Sequence, residues 1–128
     1  MACKDKVKVT YDAKENPIKW ELICEGTCAD GTACKNHPEV PDPKLPHTTR
    51  EFCACKAGKD DESTDCHIVI YRVKPPKGNP DTYFKCEGAA NCKKGQTCAP
   101  AFVPHPVVKG APVEWREFTC ECQSDDDV

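Results

Sequence analysis

Hydrophobic and polar residues alternate along two neighbouring stretches near the start of the chain. KVKVTY (residues 6–11) and IKWELIC (residues 18–24) both place apolar side chains at every second position. A period of two is typical of a β-strand with one buried face. The intervening segment DAKENP (residues 12–17) is rich in turn-forming residues. The pattern therefore predicts a β-hairpin over residues 6–24.

A second hairpin is predicted further along by the same reasoning. CHIVIYRV (residues 66–73) and DTYFKC (residues 81–86) flank the turn segment KPPKGNP, whose prolines cannot donate ladder hydrogen bonds. TTREFCAC (residues 48–55) and VEWREFTCEC (residues 113–122) each predict a third strand. The latter has one extra residue before its Cys-x-Cys, which predicts a bulge or a change of register. No stretch shows a helical period, so we expect little or no helix.

The cysteines divide the chain into two similar halves. Each half has one leading cysteine, a hairpin-sized gap, a three-cysteine string and a final Cys-x-Cys. CEGTCADGTAC (residues 24–34) matches CEGAANCKKGQTC (residues 86–98), and Arg-Glu-Phe precedes both Cys-x-Cys pairs. A repeat of this kind indicates a tandem duplication. We predict a first repeat at 1–57, a charged linker at 58–65 and a second repeat with an acidic tail at 66–128, each half folding by itself.

Twelve cysteines among 128 residues outweigh every other feature of the composition. Units of this size bury too little apolar surface to fold without staples. The even count favours disulfides and an oxidising compartment, either extracellular or periplasmic. Met1-Ala2-Cys3 resembles a start codon placed on a mature region, which implies that an export signal has been removed. The expected fold is a small, disulfide-rich, mostly β protein of two tandem hairpin repeats.

The cysteine strings resemble the small EGF-like subdomain that opens follistatin domains. The shared pattern is Cys-x3-Cys-x2-Gly-x2-Cys followed by Cys-x-Cys, although the Kazal-like half of that family is missing and the loops are longer. Spacing alone allows fifteen pairings of six cysteines. The resemblance implies the pairs Cys3–Cys55, Cys24–Cys34, Cys28–Cys53, Cys66–Cys122, Cys86–Cys98 and Cys92–Cys120.

Several kinds of chemistry are disfavoured by the sequence. The net charge is −3 without a dense basic cluster, so we expect no nucleic-acid partner, and no apolar run is long enough to span a bilayer. Zinc lacks its usual Cys-x2-Cys knuckle despite the nearby histidines, so we expect no metal or other cofactor. Cys66 beside His67 has a counterpart in Cys3, and the acidic run Asp60–Glu62 lies in the linker. We therefore expect no enzyme.

Two proline-rich loops, residues 35–50 and 99–115, are the best candidates for a binding surface. Proline lowers the entropy that such a loop loses when it meets a partner. Each loop could equally cover the core of its own half, and both alternatives remain open. The candidate contact residues are Phe102, Val103, Val107, Val108, Trp115, Lys44, Leu45 and Arg50.

The favoured function is a non-catalytic binding or adhesion module whose partner is another protein or the sister repeat, including self-association. Glycan binding is also open, since Trp20, Trp115 and Tyr83 could stack on sugars. A second hypothesis is a protease inhibitor with Lys44-Leu45 or Arg50-Glu51 as the scissile bond. A third is a structural coat or matrix component.

Overall fold

A computed structural model describes residues 3–28, 31–55, 62–103 and 114–124. These residues form strands and loops without a helix, so none of them provides a helix that could cross a membrane. The predicted all-β, disulfide-rich fold is confirmed. The strands are β1 (Lys4–Tyr11), β2 (Pro17–Glu25), β3 (Lys35–Asn36), β4 (Val40–Pro41), β5 (Thr48–Ala54), β6 (His67–Val73), β7 (Asp81–Glu87), β8 (Gln96–Val103) and β9 (Glu114–Ser124).

The first predicted hairpin is formed by β1 and β2, which pair antiparallel. At the turn, the Asp12 carboxylate accepts hydrogen bonds from the backbone N–H groups of Lys14 (2.8 Å) and Asn16 (2.9 Å). These bonds, that of Asn16 first, hold the pKa of Asp12 below its ordinary value. Glu15 takes a left-handed backbone conformation (φ 64°), which closes the turn. β6 and β7 form the second predicted hairpin.

The first sheet contains strands from both halves of the chain, in the order β2-β1-β9-β8. β1 pairs antiparallel with β9, with Val7 opposite Phe118 and Val9 opposite Arg116. The first and last strands of the protein are therefore neighbours. β8, which the sequence pattern did not predict, lies at the edge and pairs with β9.

The second sheet mirrors this arrangement. Its order is β3-β5-β6-β7, with the short β4 pairing with β5 further along. β5 belongs to the first half and pairs with β6 of the second half, with Phe52 opposite Val69. Each hairpin thus receives its third strand from the other half. The two halves share both sheets, and the prediction that each half folds by itself remains untested.

The extra residue in the last strand changes the register and forms no bulge. β9 pairs without interruption with β8 from Ser124 back to Glu117. When the two Cys-x-Cys pairs are aligned, Glu51 and Phe118 occupy equivalent positions, opposite Ile70 and Val7 respectively. Because successive side chains of a strand point to opposite faces, the two Arg-Glu-Phe motifs present opposite faces to the core.

Two apolar clusters stabilise the fold. The larger joins residues of both sheets, among them Val7, Val9, Ile68 and Ile70, all almost completely buried. The smaller cluster consists of Phe52, Ala54, Val69 and Tyr71, with Val40 and Tyr83 packed against it. Val69 and Tyr71 alternate along β6 with Ile68 and Ile70. β6 is therefore buried on both faces, whereas β1 buries only one.

All twelve cysteines are oxidised in six disulfides, but the pairing differs from the one that the follistatin resemblance implied. In both halves the first cysteine pairs with the fourth, the second with the fifth and the third with the sixth. Residues two apart on a strand share a face, so Cys53 and Cys55 both face the end of the β1–β2 hairpin. The observed pairs are Cys3–Cys34, Cys24–Cys53, Cys28–Cys55, Cys66–Cys98, Cys86–Cys120 and Cys92–Cys122.

Two of these disulfides join the sheets to each other. Cys24 of β2 is bonded to Cys53 of β5, and Cys86 of β7 is bonded to Cys120 of β9. Every disulfide nevertheless remains within one half of the sequence. Covalent bonds therefore hold each half together, while strand pairing and the shared core hold the halves to each other.

Candidate contact surface

Four aromatic rings form a continuous row across the two sheets. Phe84 lies 6.2 Å from Trp20 and 5.5 Å from Phe118, measured between ring centroids. Phe118 in turn contacts the edge of Phe102 at 5.9 Å. Alternation along β2, β7, β8 and β9 turns these side chains inward, and the first three rings are only partly buried. We call Trp20, Phe84, Phe118 and Phe102 the aromatic row.

Phe102 ends the aromatic row at the edge strand β8 and is 57% exposed. Among the described residues, Ile18 (58%) and Leu45 (41%) are the other large apolar side chains with high exposure. Neither belongs to the aromatic row. Val103 is half-buried on the opposite face of β8, and Val107 and Val108 lie outside the described residues. Phe102 is thus the predicted contact residue with the most accessible apolar surface.

The remaining aromatic candidates each carry a lysine over the ring. The Lys8 ammonium lies 4.7 Å from the Trp115 ring centroid. Tyr83 stacks on Tyr71 at 5.2 Å, and Lys85 lies 5.8 Å from its centroid. A cation over an aromatic face occupies the surface on which a sugar would stack. Glycan stacking at Trp115 or Tyr83 would require the lysine to move.

The tip of the first proline-rich loop is exposed and held in a turn. Lys44 and Leu45 both donate their backbone N–H to the Asp42 carboxylate, at 2.7 Å and 3.0 Å. His47 then takes a left-handed backbone conformation (φ 56°) before β5 begins. The rest of this loop covers its neighbours, since Val40 packs on the smaller cluster. Only the tip therefore remains available as a contact surface.

Arg50 belongs to an internal ion-pair network rather than to an exposed surface. Its guanidinium forms a bidentate pair with Glu62 at 2.6 and 2.7 Å and also contacts Glu87 at 3.0 Å. Asp42 lies 3.7 Å from its Nε. Burial alone would lower the pKa of Arg50, but the hydrogen bonds and charges of these carboxylates raise it. The Arg50–Glu51 bond lies inside a paired strand, which does not suit a scissile loop.

Glu87 and His67 extend this network into the second half. Burial raises the pKa of Glu87, Arg50 opposes that shift, and the Tyr71 hydroxyl donates a hydrogen bond to the Glu87 carboxylate. His67 contacts Glu62 through Nε2 (2.9 Å) and the Asp65 carbonyl through Nδ1 (2.7 Å). The sequence missed this network because its members are distant along the chain.

The sulfurs and histidines form no free metal-binding set among the described residues. Three groups of cysteine sulfurs lie within 4.8 Å of one another, but each contains a disulfide and one sulfur of a neighbouring disulfide. Metals bind thiolates, which these oxidised sulfurs do not provide. His37 is stacked on Phe52 at 4.7 Å, and His105 lies outside the described residues.

The chain was also compared with known proteins. No protein-family model matches it, and neither a curated protein nor a solved structure shows significant similarity to it. The functional argument therefore depends on the geometry of the chain itself.

Proposed function

We propose that the protein is an exported, disulfide-stapled and non-catalytic module that binds another protein through the surface around Phe102. The proposal is carried by one observation: an exposed phenylalanine continues a row of partly exposed rings drawn from both halves. Aromatic side chains at the centre of an interface contribute much of its binding energy. The six disulfides support an oxidising location. They also hold the surface in place before binding, which reduces the entropy lost on association.

The test compares Phe102→Ser with the matched control Ile18→Ser. Both side chains are equally exposed and belong to the first sheet, but only Phe102 belongs to the aromatic row. Oxidised protein, immobilised, is used to capture partners from its native surroundings. We expect Phe102→Ser to weaken capture by about thirtyfold, the equivalent of an anchor of about 2 kcal/mol, and Ile18→Ser to leave it unchanged.

Thermal melts of the same variants show whether Phe102 is a contact residue or part of the core. An exposed side chain should change the free energy of unfolding by about 0.5 kcal/mol or less. A loss of several kcal/mol in Phe102→Ser would mean that this ring stabilises the fold, as core truncations do. Equal capture by both variants would also contradict the proposal.

A protease inhibitor is the second candidate, and the loop tip favours it. Leu45 is 41% exposed and follows Lys44 in a turn that the Asp42 side chain holds. Inhibition of trypsin-like peptidases by the oxidised protein, abolished in Lys44→Ala, would establish this function. Inhibition that Lys44→Ala leaves unchanged would exclude this bond as the reactive site.

A further inference from the structure

A short segment ahead of Cys66 is packed into a groove of the second half. Glu62 forms a backbone bridge with Ala54, and the Thr64 carbonyl accepts a hydrogen bond from the Ala90 N–H at 3.0 Å. Gly88 (φ 82°) allows this close approach, since a Cβ there would lie 2.4 Å from the Asp65 carbonyl oxygen. We call residues 62–65 the docked segment.

The docked segment is held by charge as well as by its backbone. The Glu62 carboxylate receives hydrogen bonds from Arg50 and lies 2.9 Å from His67 Nε2. Beneath it, the groove is dry. His67, Val69 and Phe52 retain only 7%, 0% and 2% exposure.

The matching position of the first half is an open cleft. Aligning the cysteines and the strand registers places Lys4 at the position of His67, Lys6 at that of Val69 and Thr119 at that of Phe52. In contrast to their counterparts, all three are exposed or half-buried. The cleft encloses about 310 Å³ and is lined by Cys3, Lys4, Asp5, Lys6, Ile23, Glu25, Cys66, Thr119 and Cys120. This volume is at the lower end of the range for ligand-binding pockets.

The cleft combines two lysines with a backbone that permits close approach. Gly26, which corresponds to Gly88, also has a positive φ of 98°. Lys6 has only long ion pairs, 3.8 Å to Glu25 and 3.6 Å to Glu117. The Asp5 carboxylate points inward, where it accepts the Ile68 N–H at 2.8 Å. The ammonium groups are therefore the charges best placed for an incoming carboxylate.

We propose that this cleft binds an extended acidic peptide, in the position that the docked segment occupies in the second half. The acidic side chain would pair with Lys4 and Lys6, as Glu62 pairs with His67 and Arg50. The peptide backbone would pass over Gly26. This site is separate from the surface around Phe102 and does not depend on the function proposed for it.

The probe is a capped peptide with the sequence of residues 61–65, Asp-Glu-Ser-Thr-Asp, added to the isotope-labelled, fully oxidised chain. We expect saturable amide shifts in nuclear magnetic resonance spectra at the cleft residues, with a Kd below about 1 mM. The double variant Lys4→Gln/Lys6→Gln should bind about three- to tenfold more weakly, since each exposed ion pair contributes little alone. A peptide with glutamine in place of its glutamate should also bind more weakly.

Two control variants separate this site from others. Lys19 is 66% exposed and paired with Glu21 on the same sheet, so Lys19→Gln should retain full peptide affinity, as should Phe102→Ser. The proposal is overturned if millimolar peptide produces no saturable shifts, if the shifts lie away from the cleft, or if the double lysine variant binds as tightly as the native chain. Loss of peptide binding in Phe102→Ser would instead place both interactions on one surface and contradict a separate site.

Discussion

The first strands of the two halves, β1 and β6, occupy equivalent places in the fold but differ in chemistry. In β1, the buried Val7 and Val9 alternate with lysines that face solvent. In β6, five consecutive residues from His67 to Tyr71 are buried. The difference arises outside the strands. The loop carrying His37 and Val40 and the docked segment cover the outer face of the second sheet, whereas the outer face of the first sheet carries charged residues such as Lys8 and Glu117.

The comparison shows that strand placement and surface chemistry are determined separately. The disulfide order is the same in both halves, and the third strand pairs in the same register relative to its Cys-x-Cys. With the backbone held in this way, one outer face could become apolar and covered while the other remained polar. The three predictions below compare equivalent positions in the two halves.

The largest effect is expected from removing the disulfides that join the sheets. Cys24→Ser/Cys53→Ser and Cys86→Ser/Cys120→Ser each open a loop of similar length, with separations of 29 and 34 residues. Loop entropy predicts a loss of about 3–4 kcal/mol for each pair. The first pair should cost more, because Cys53 is buried in the larger cluster and serine there is poorly accommodated. Urea unfolding measures both, and a larger loss for the second pair would contradict this ranking.

An intermediate effect is expected where an internal cation meets a surface anion. Arg50 and Glu117 occupy equivalent positions in β5 and β9, so the same substitution, to glutamine, can be made at both. Arg50→Gln leaves Glu62, Glu87 and Asp42 without their shared cation and should cost about 2–3 kcal/mol. Glu117→Gln loses only a 3.6 Å pair with Lys6 and should change stability by about 0.5 kcal/mol.

Chemical denaturation of the two glutamine variants at neutral pH makes this comparison. Equal losses would show that the ion-pair network around Arg50 contributes no more than an exposed pair. The release of the docked segment can be followed in the same samples by amide hydrogen exchange at Asp65 and Cys66. Exchange should quicken in Arg50→Gln and remain unchanged in Glu117→Gln.

The smallest effect concerns Asp5, whose equivalent in the second half is Ile68. Burial raises the pKa of the Asp5 carboxyl above its ordinary value of 3.8, although the Ile68 N–H opposes the shift. The folded state therefore holds this proton more tightly than the unfolded state. The stabilising contribution is present at pH values below the ordinary pKa and is lost as the pH rises through the folded-state pKa.

Asp5→Asn removes this dependence while keeping an oxygen for the Ile68 N–H. We expect the variant to gain on the order of 1 kcal/mol at neutral pH and nothing at about pH 3, where the native carboxyl is protonated. Urea unfolding at the two pH values measures the difference. A gain of equal size at both would mean that side-chain packing, not ionisation, accounts for the effect.

The sequence predicted the strands of both hairpins but not their neighbours. Alternation in β1 shows which face is buried, yet it carries no information on which strand pairs at its edge. The exchange of β5 and β9 between the halves was therefore missed. The pairing of Cys53 with Cys24 was missed because the family resemblance supplied a different order. β8 was missed because Pro100 makes its sequence typical of a loop.

The candidate surface was predicted in part. Phe102 follows from the excess of apolar residues in its loop, and its exposure agrees with one of the two alternatives. Arg50 was taken as a contact residue because an arginine in a loop-flanking segment is usually solvated. Its carboxylate partners come from the linker and from the other half, and no local pattern reveals such long-range ion pairs.

The pairing of β1 with β9 has a consequence for how the protein folds as it is made. The first strand to be synthesised must wait for the last, and neither the four-stranded sheet nor the shared core can be completed before the whole chain is available. Such non-local contacts slow folding. Disulfides within the first half, by contrast, require only residues that have already emerged. We therefore expect oxidation of the first half to precede sheet closure, leaving an intermediate with an unpaired β1 edge that invites association with other chains.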